Sequence, residues 1–478
     1  MQKLNSLIIT AMVLGLFGIF GCDSKPQSNS PSVEKSAKDS PSDESASASK
    51  GKIATPAWAK NASMYEINIR QYTPEGTFKA IVPHLERLAQ MGIDIIWLMP
   101  IHPISKTKRK GSLGSYYAVN GFREVNSEFG SEHDLQYLIS TAHNNGLKVI
   151  IDWVPHHTGW DHPWISAHPE WYSHDSNGNI IDPVNEETGE PWGWTDVAEL
   201  DLSNQEMRKE MISDMIYWIE SAGIDGFRID HAHGLPDDYW NQVSVALAGL
   251  DQPIFMLAEG ADPRLRNEEN FVATYSWEFH HAMNDIAKGT KNVNSLDDIL
   301  KADRKKYNTG YHIYFTSNHD ENSWAGTEME RMGDGHKAFA VLSATIDGMP
   351  LIYSGQEEPL EKRLKFFEKD QIEWSDYAYA DFYKTLFQLK KRNEALWNGS
   401  LGGVSERINK SDHVYAFKRE KGEDKIVVIL NLSDQERRTY LSEEVDKMRN
   451  VFDRKSQSYK ENEEIILAPW EYIVLSSK

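Results

Sequence analysis

Asp225-Gly-Phe-Arg-Ile-Asp230 and, one helical stretch later, Ile254-Phe-Met-Leu-Ala-Glu259 decide the fold. Each is a short apolar run that ends in a carboxylate. Asp230 and Glu259 stand 29 residues apart (259 minus 230), room for one helix and one strand, as a parallel β-α-β unit requires. Working outward, the unit repeats. Strands are predicted at 64–70, 94–99, 148–152, 313–318 and 351–354, with one placed loosely around 271–277. Helical patterns fit between them at 78–90, 132–144, 205–222 and 335–347. The alternation predicts an α/β fold, a (β/α)8 TIM barrel. In such a barrel all strand C-terminal ends open on one face, where the chemistry is done. Asp152, Asp230, Glu259 and the run Asn318-His319-Asp320 fall at those ends. One strand-end carboxylate can be a helix cap, but four of them predict a common cleft.

Two stretches break the rhythm. After the third strand, residues from about 159 to 203 are rich in Trp, Pro, Gly and Asn, and a loop of that length predicts an inserted subdomain over the cleft. Beyond about residue 397, short alternating runs at 413–418, 425–432 and 465–476 predict a C-terminal antiparallel β-sandwich domain. The catalytic barrel is thus expected over 53–397 and the β domain over 398–478.

At the other end, Lys3 precedes an apolar stretch from Leu7 to Phe20, which reads as a signal peptide over 1–21. It closes in Ile19-Phe20-Gly21-Cys22, which resembles the bacterial lipobox and implies lipidation at Cys22. Cys22 is the only cysteine, so no disulfide can form within the chain. Residues 22–52 are poor in large apolar side chains and are expected to be a disordered tether. This predicts a protein anchored to a bacterial membrane by lipid, either periplasmic or at the cell surface. With 72 acidic against 51 basic residues the formal charge is −21, which disfavours nucleic-acid binding.

The strand ends also carry a resemblance. Asp152-Trp-Val-Pro-His-His157, Gly226-Phe-Arg-Ile-Asp230, Leu257-Ala-Glu259 and Phe315-Thr-Ser-Asn-His-Asp320 resemble, in order, the four signature segments of the α-amylase family, glycoside hydrolase family 13. Gly348-Met-Pro-Leu-Ile-Tyr-Ser-Gly-Gln-Glu357 follows as the barrel-closing strand. The resemblance implies Asp230 as nucleophile, Glu259 as general acid/base and Asp320 as a third carboxylate holding sugar hydroxyls. It implies His157 and His319 as hydrogen-bonding partners of the same sugar, and Tyr117, rather than Tyr116, as the ring that stacks on it. Splitting an acetal does need one acid and one carboxylate, about 5 to 5.5 Å apart in retaining enzymes. Arg228, two residues before Asp230 and so on the same strand face, is expected to keep Asp230 ionised while Glu259 stays protonated.

The segments depart from the family at two calcium-ligand positions, which here are His156 and Gly234. Calcium wants oxygen ligands, so no essential metal and no cofactor are expected. A zinc site among His156, His157, His162, His168 and His174 fits no helical spacing and is not expected. The sequence implies a retaining hydrolase of α-glucans or maltooligosaccharides. A transglycosylase shares every one of these residues, and a non-catalytic glycan-binding lipoprotein would not need both carboxylates. Trp192, Trp194 and Trp324 suggest aromatic subsites, and the linkage cleaved stays open.

Overall fold

Strand β1 (Met64–Ile67) pairs with β2 (Ile95–Leu98), β2 with β3 (Lys148–Trp153), and so on through β4 (Gly226–Ile229), β5 (Phe255–Ala258), β6 (Ala273–Tyr275), β7 (Tyr311–Tyr314) and β8 (Met349–Tyr353). All are parallel. Register Met64↔Leu351 brings β8 back onto β1 and closes the barrel. The computed structural model describes residues 51–185 and 188–478. The expected signal peptide, Cys22 and all but the last residues of the expected tether lie outside the described residues.

The barrel strands are buried along nearly their whole length, which is why they read as continuous apolar runs and not as alternating ones. Helices close the turns between them. The helix Glu132–Asn144 starts at a reciprocal cap between Ser131 and Asp134. The helix Gln205–Ala222 starts under the Asn204 side chain and stops at Gly223, whose φ of 74° suits glycine. Both spans agree with the sequence. The helix expected over 78–90 is instead two short ones, Phe78–Ile81 and Leu85–Met91, joined by a 3-10 turn. Pro83 sits in that turn and has no N–H to continue the ladder. The seventh strand ends at Tyr314 and not at Asn318, so Phe315 to Asn318 form the loop that follows it, and His319 and Asp320 open the helical turn after that loop.

The segment inserted after β3 is anchored by a two-stranded antiparallel pair, His157–Gly159 with Val197–Glu199. At the C-terminal end, a six-stranded antiparallel sheet and the pair Arg437–Tyr440 with Glu464–Leu467 enclose Ile408, Val427, Ile429, Leu441, Ile465 and Leu475. The run expected as one strand over 465–476 is two, Glu464–Leu467 and Tyr472–Ser476, in different sheets. Pro469 and Trp470, at φ 58°, turn the chain between them. Arg419 ties this domain to the barrel: fully buried, it donates to the carbonyls of Thr345, Ile346, Trp397 and Gly403. Among the described residues, no helix is long and apolar enough to cross a membrane.

Candidate active site

Register Asp152↔Arg228 between β3 and β4 sets the floor of the cleft. Arg228 and Asp152 are both fully buried. The Arg228 Nη1 lies 2.9 Å from Asp152 Oδ1 and 2.8 Å from Asp230 Oδ1, while Nη2 lies 2.9 Å from Glu259 Oε2. Asp230 and Glu259 come one residue past the ends of β4 and β5, so they reach the same guanidinium from adjacent strands. Both are about one-sixth exposed, at 15% and 18%, and open onto a cavity of about 530 Å³. The backbone N–H of His231, itself in left-handed conformation at φ 48°, donates to Glu259 Oε2 at 2.9 Å.

A second cluster meets the first from the other side. Tyr117 donates its hydroxyl to Asp152 Oδ2 at 3.0 Å and lies 2.8 Å from His319 Nε2, with the two rings stacked. His319 Nε2 is also 3.3 Å from Asp320 Oδ2. Asp320, His157, Trp194, Trp324, Phe366 and Phe367 complete the lining. Tyr116 packs beneath the site, under the Arg70 guanidinium, and is no part of the cleft wall.

Residues 34–426 match the family described as alpha amylase, catalytic domain, and residues 414–474 match the alpha-amylase SusG C-terminal domain. The chain belongs to the α-amylase family. It is 24% identical over 419 residues to Alpha-amylase 2 of Dictyoglomus thermophilum, covering 80% of this chain and 71% of that protein. The crystal structure of maltogenic alpha-amylase AmyB from Thermotoga neapolitana superposes with a TM-score of 0.78 at 27% identity, over 88% of this chain and 99% of that one. Not every relative is named a hydrolase. An alpha-1,4-glucan:maltose-1-phosphate maltosyltransferase of Picrophilus torridus is 25% identical over 80% of this chain and 62% of its own length.

In this α-amylase-family site one guanidinium serves three carboxylates, where the sequence expectation gave it only Asp230 to hold. Burial pushes Asp230 up to about 8, because the pull of Arg228 is offset by repulsion from Glu259 and Asp152. Burial also pushes Glu259 upward, but Arg228 and the His231 N–H outweigh it and hold the group below the ordinary range. Asp152 is raised by burial to about 6 against the pull of Arg228. In the free site Asp230 and Glu259 therefore hold one proton between them, because one guanidinium does not offset three carboxylates.

Every site residue expected from the sequence within the described part, namely Tyr117, His157, Arg228, Asp230, Glu259, His319 and Asp320, is brought to this one cleft. The His157 ring is buried, and neither nitrogen has a hydrogen-bond partner of good geometry. Burial and the neighbouring His156 and His231 hold its pKa well below normal, so it is neutral. The sequence reading passed over Phe366-Phe367, whose signal was an aromatic pair in the loop after β8, and over Glu66. That one is a lone carboxylate inside Met64-Tyr-Glu-Ile67, an otherwise buried apolar and aromatic strand. At the two calcium positions, His156 Nε2 lies 4.0 Å from Glu199 Oε1 and Gly234 offers no side chain, so the residues present do not fit the ion there. The other histidines have local tasks. His162 accepts from the Trp164 N–H at a helix start, and His168 pairs with Glu170 and stacks on Trp171.

Proposed function

We propose that the chain is a retaining α-glucan hydrolase in which Asp230 attacks the anomeric carbon and Glu259 protonates the departing oxygen, then activates water to release the glycosyl-enzyme. The observation that carries this reading is the meeting of Asp230 and Glu259, from adjacent strand ends, on one buried guanidinium at the wall of a 530 Å³ cleft. Asp320 (39% exposed) is the third carboxylate, placed to hold sugar hydroxyls, with His157 and His319 as further partners. Tyr117 and the ring of Trp194 offer flat apolar faces to sugar rings.

The proton that Asp230 and Glu259 hold between them must be carried to Glu259 for the first step. A sugar in the cleft favours that transfer in two ways: it removes water from Glu259, which raises the pKa, and its glycosidic oxygen accepts a hydrogen bond only from the protonated acid. With Glu259 neutral, Arg228 is left to stabilise the ionised Asp230. No metal and no cofactor enters any step. Export and anchoring through a lipidated Cys22 complete the proposal and place the enzyme where external glucan is met, periplasmic or at the cell surface.

The test is product analysis. Residues 53–478 and the Glu259→Gln variant are incubated with soluble starch, a maltooligosaccharide series, panose and pullulan, and products are resolved over time. The expected result is shorter sugars from the wild type and a rate at least about a thousandfold lower for the variant, the scale of losing a general acid. Products longer than the substrate would instead make the chain a transglycosylase, the activity named for its maltosyltransferase relative. Equal turnover by the variant would overturn the assignment of Glu259.

A further inference from the structure

Glu66 is a costly residue with no role in the site as described so far. It lies at the centre of β1, is fully buried, and its Oε2 has no hydrogen-bond partner. A buried carboxylate with one oxygen left bare is retained against several kcal/mol of desolvation unless a charge meets it. The other oxygen, Oε1, stands 2.5 Å from His319 Nδ1.

Counting hydrogens shows that Glu66 and His319 hold two protons between them in these contacts, with burial raising Glu66 against the pull of His319. The Tyr117 hydroxyl has one proton and donates it to Asp152 Oδ2 at 3.0 Å. Burial and the Asp152 charge keep that phenol far from ionising. The 2.8 Å contact between the Tyr117 oxygen and His319 Nε2 therefore needs a proton on Nε2. The 2.5 Å contact on the opposite side needs one between Nδ1 and the Glu66 carboxylate. A neutral imidazole beside an ionised carboxylate supplies only one of the two.

We infer that Glu66 is a positioning residue that holds His319 as an imidazolium, with Nδ1 donating to Glu66 and Nε2 donating to the Tyr117 oxygen at the edge of the cleft. This rests on the proposed glucan chemistry only for what the donor then serves, a sugar hydroxyl beside Asp320 that shares the Nε2 proton with the Tyr117 oxygen when a glucan is bound. A charge-assisted hydrogen bond is roughly twice as strong as a neutral one, which suits a group that must grip a distorting ring. The surroundings agree. Around the ring stand Glu66 from β1, Asp152 from β3, Arg228 from β4, Glu259 past β5, the Tyr117 phenol and Asp320 on its own helical turn. Burial pulls the imidazole down, but Asp320 and Glu66 outweigh both that and the repulsion of Arg228, and raise it to about 9. The ring is also fixed in plane, stacked on Tyr117 and edge-on to Trp97.

Glu66→Gln keeps an oxygen acceptor of the same reach and removes the charge. Two measurements on residues 53–478 test the inference. In histidine labelled with ¹⁵N, with His319 assigned by its loss in His319→Gln, both ring nitrogens of the wild type are expected at imidazolium positions at pH 7.5. Their midpoint is expected near 9 and at least one unit lower in Glu66→Gln. In maltooligosaccharide turnover, the alkaline limb of the pH profile of the variant is expected to move acidward by the same interval. Its rate then falls at least about threefold at pH 8.5, the size of a one-unit shift from 9 to 8 read between the two midpoints, and much less at pH 6. A neutral His319 at pH 7.5 in the wild type overturns the inference whatever the activity, as does an equal loss at all pH values in a variant whose midpoint is unmoved. An imidazolium in a chain that turns over no glucan supports the inference and defeats the functional reading, so the two fail separately.

Discussion

Asp230 shares the Arg228 guanidinium with Asp152 and Glu259, and the crowding has a consequence for stability that depends on pH. Burial and the neighbouring carboxylates push Asp230 up to about 8 in the folded chain, whereas an unfolded aspartate releases its proton near 3.8. The folded state thus binds more protons than the unfolded chain between those values, and stability falls as pH rises through that window. Asp230→Asn removes this penalty. The variant is expected to be inactive yet more thermostable at pH 8.5, by about 2–4 °C, with the gap narrowing toward pH 5 in calorimetric scans. A lower Tm than the wild type at pH 8.5 would contradict the crowding. At this scale the sequence showed Asp230 and Glu259 plainly, because each is a carboxylate at the end of an apolar run, and Asp320 through the family resemblance of the polar segment that carries it. It did not show that Arg228 serves three partners. That follows from the register Asp152↔Arg228 and from the approach of Glu259 across a strand pair, which no local pattern encodes.

At the scale of elements, β4 and β5 approach so closely that a Cβ on Gly226 would stand 2.0 Å from the Phe255 carbonyl oxygen. Since β4 carries Arg228 and leads into Asp230, this contact sets the strand spacing at the site. Gly226→Ala is expected to cost at least about 3 kcal/mol, read as a lowered urea midpoint with the slope unchanged, or to prevent folding in soluble form. A midpoint unchanged from the wild type would show that the strands can part without loss. Elements with their own punctuation were legible to the residue, as with the capped helices Glu132–Asn144 and Gln205–Ala222. Those decided by a single proline were not. Pro83 splits one expected helix, and Pro469 ends one expected strand and sends the chain to another sheet.

For the whole molecule, the repeat of apolar run and helix was enough to predict a parallel sheet buried on both faces, and the family resemblance of the strand ends decided for a closed ring over an open sheet. The attachment of the C-terminal domain was not legible. It depends on Arg419, an ordinary charged residue in sequence, reaching four carbonyls of which two, Thr345 and Ile346, lie more than seventy residues away. What the assembled barrel achieves is to present two carboxylates, on one cation, to a cleft, and the proposed function turns on which of them becomes bonded to the sugar. The direct measurement is to incubate Glu259→Gln with α-maltosyl fluoride, whose leaving group needs no acid and whose adduct then waits for a missing base, and to map the labelled peptide by mass spectrometry. The account predicts a maltosyl ester on Asp230 and maltose released slowly as the α-anomer. A label on another residue, or no adduct together with β-maltose, would contradict it.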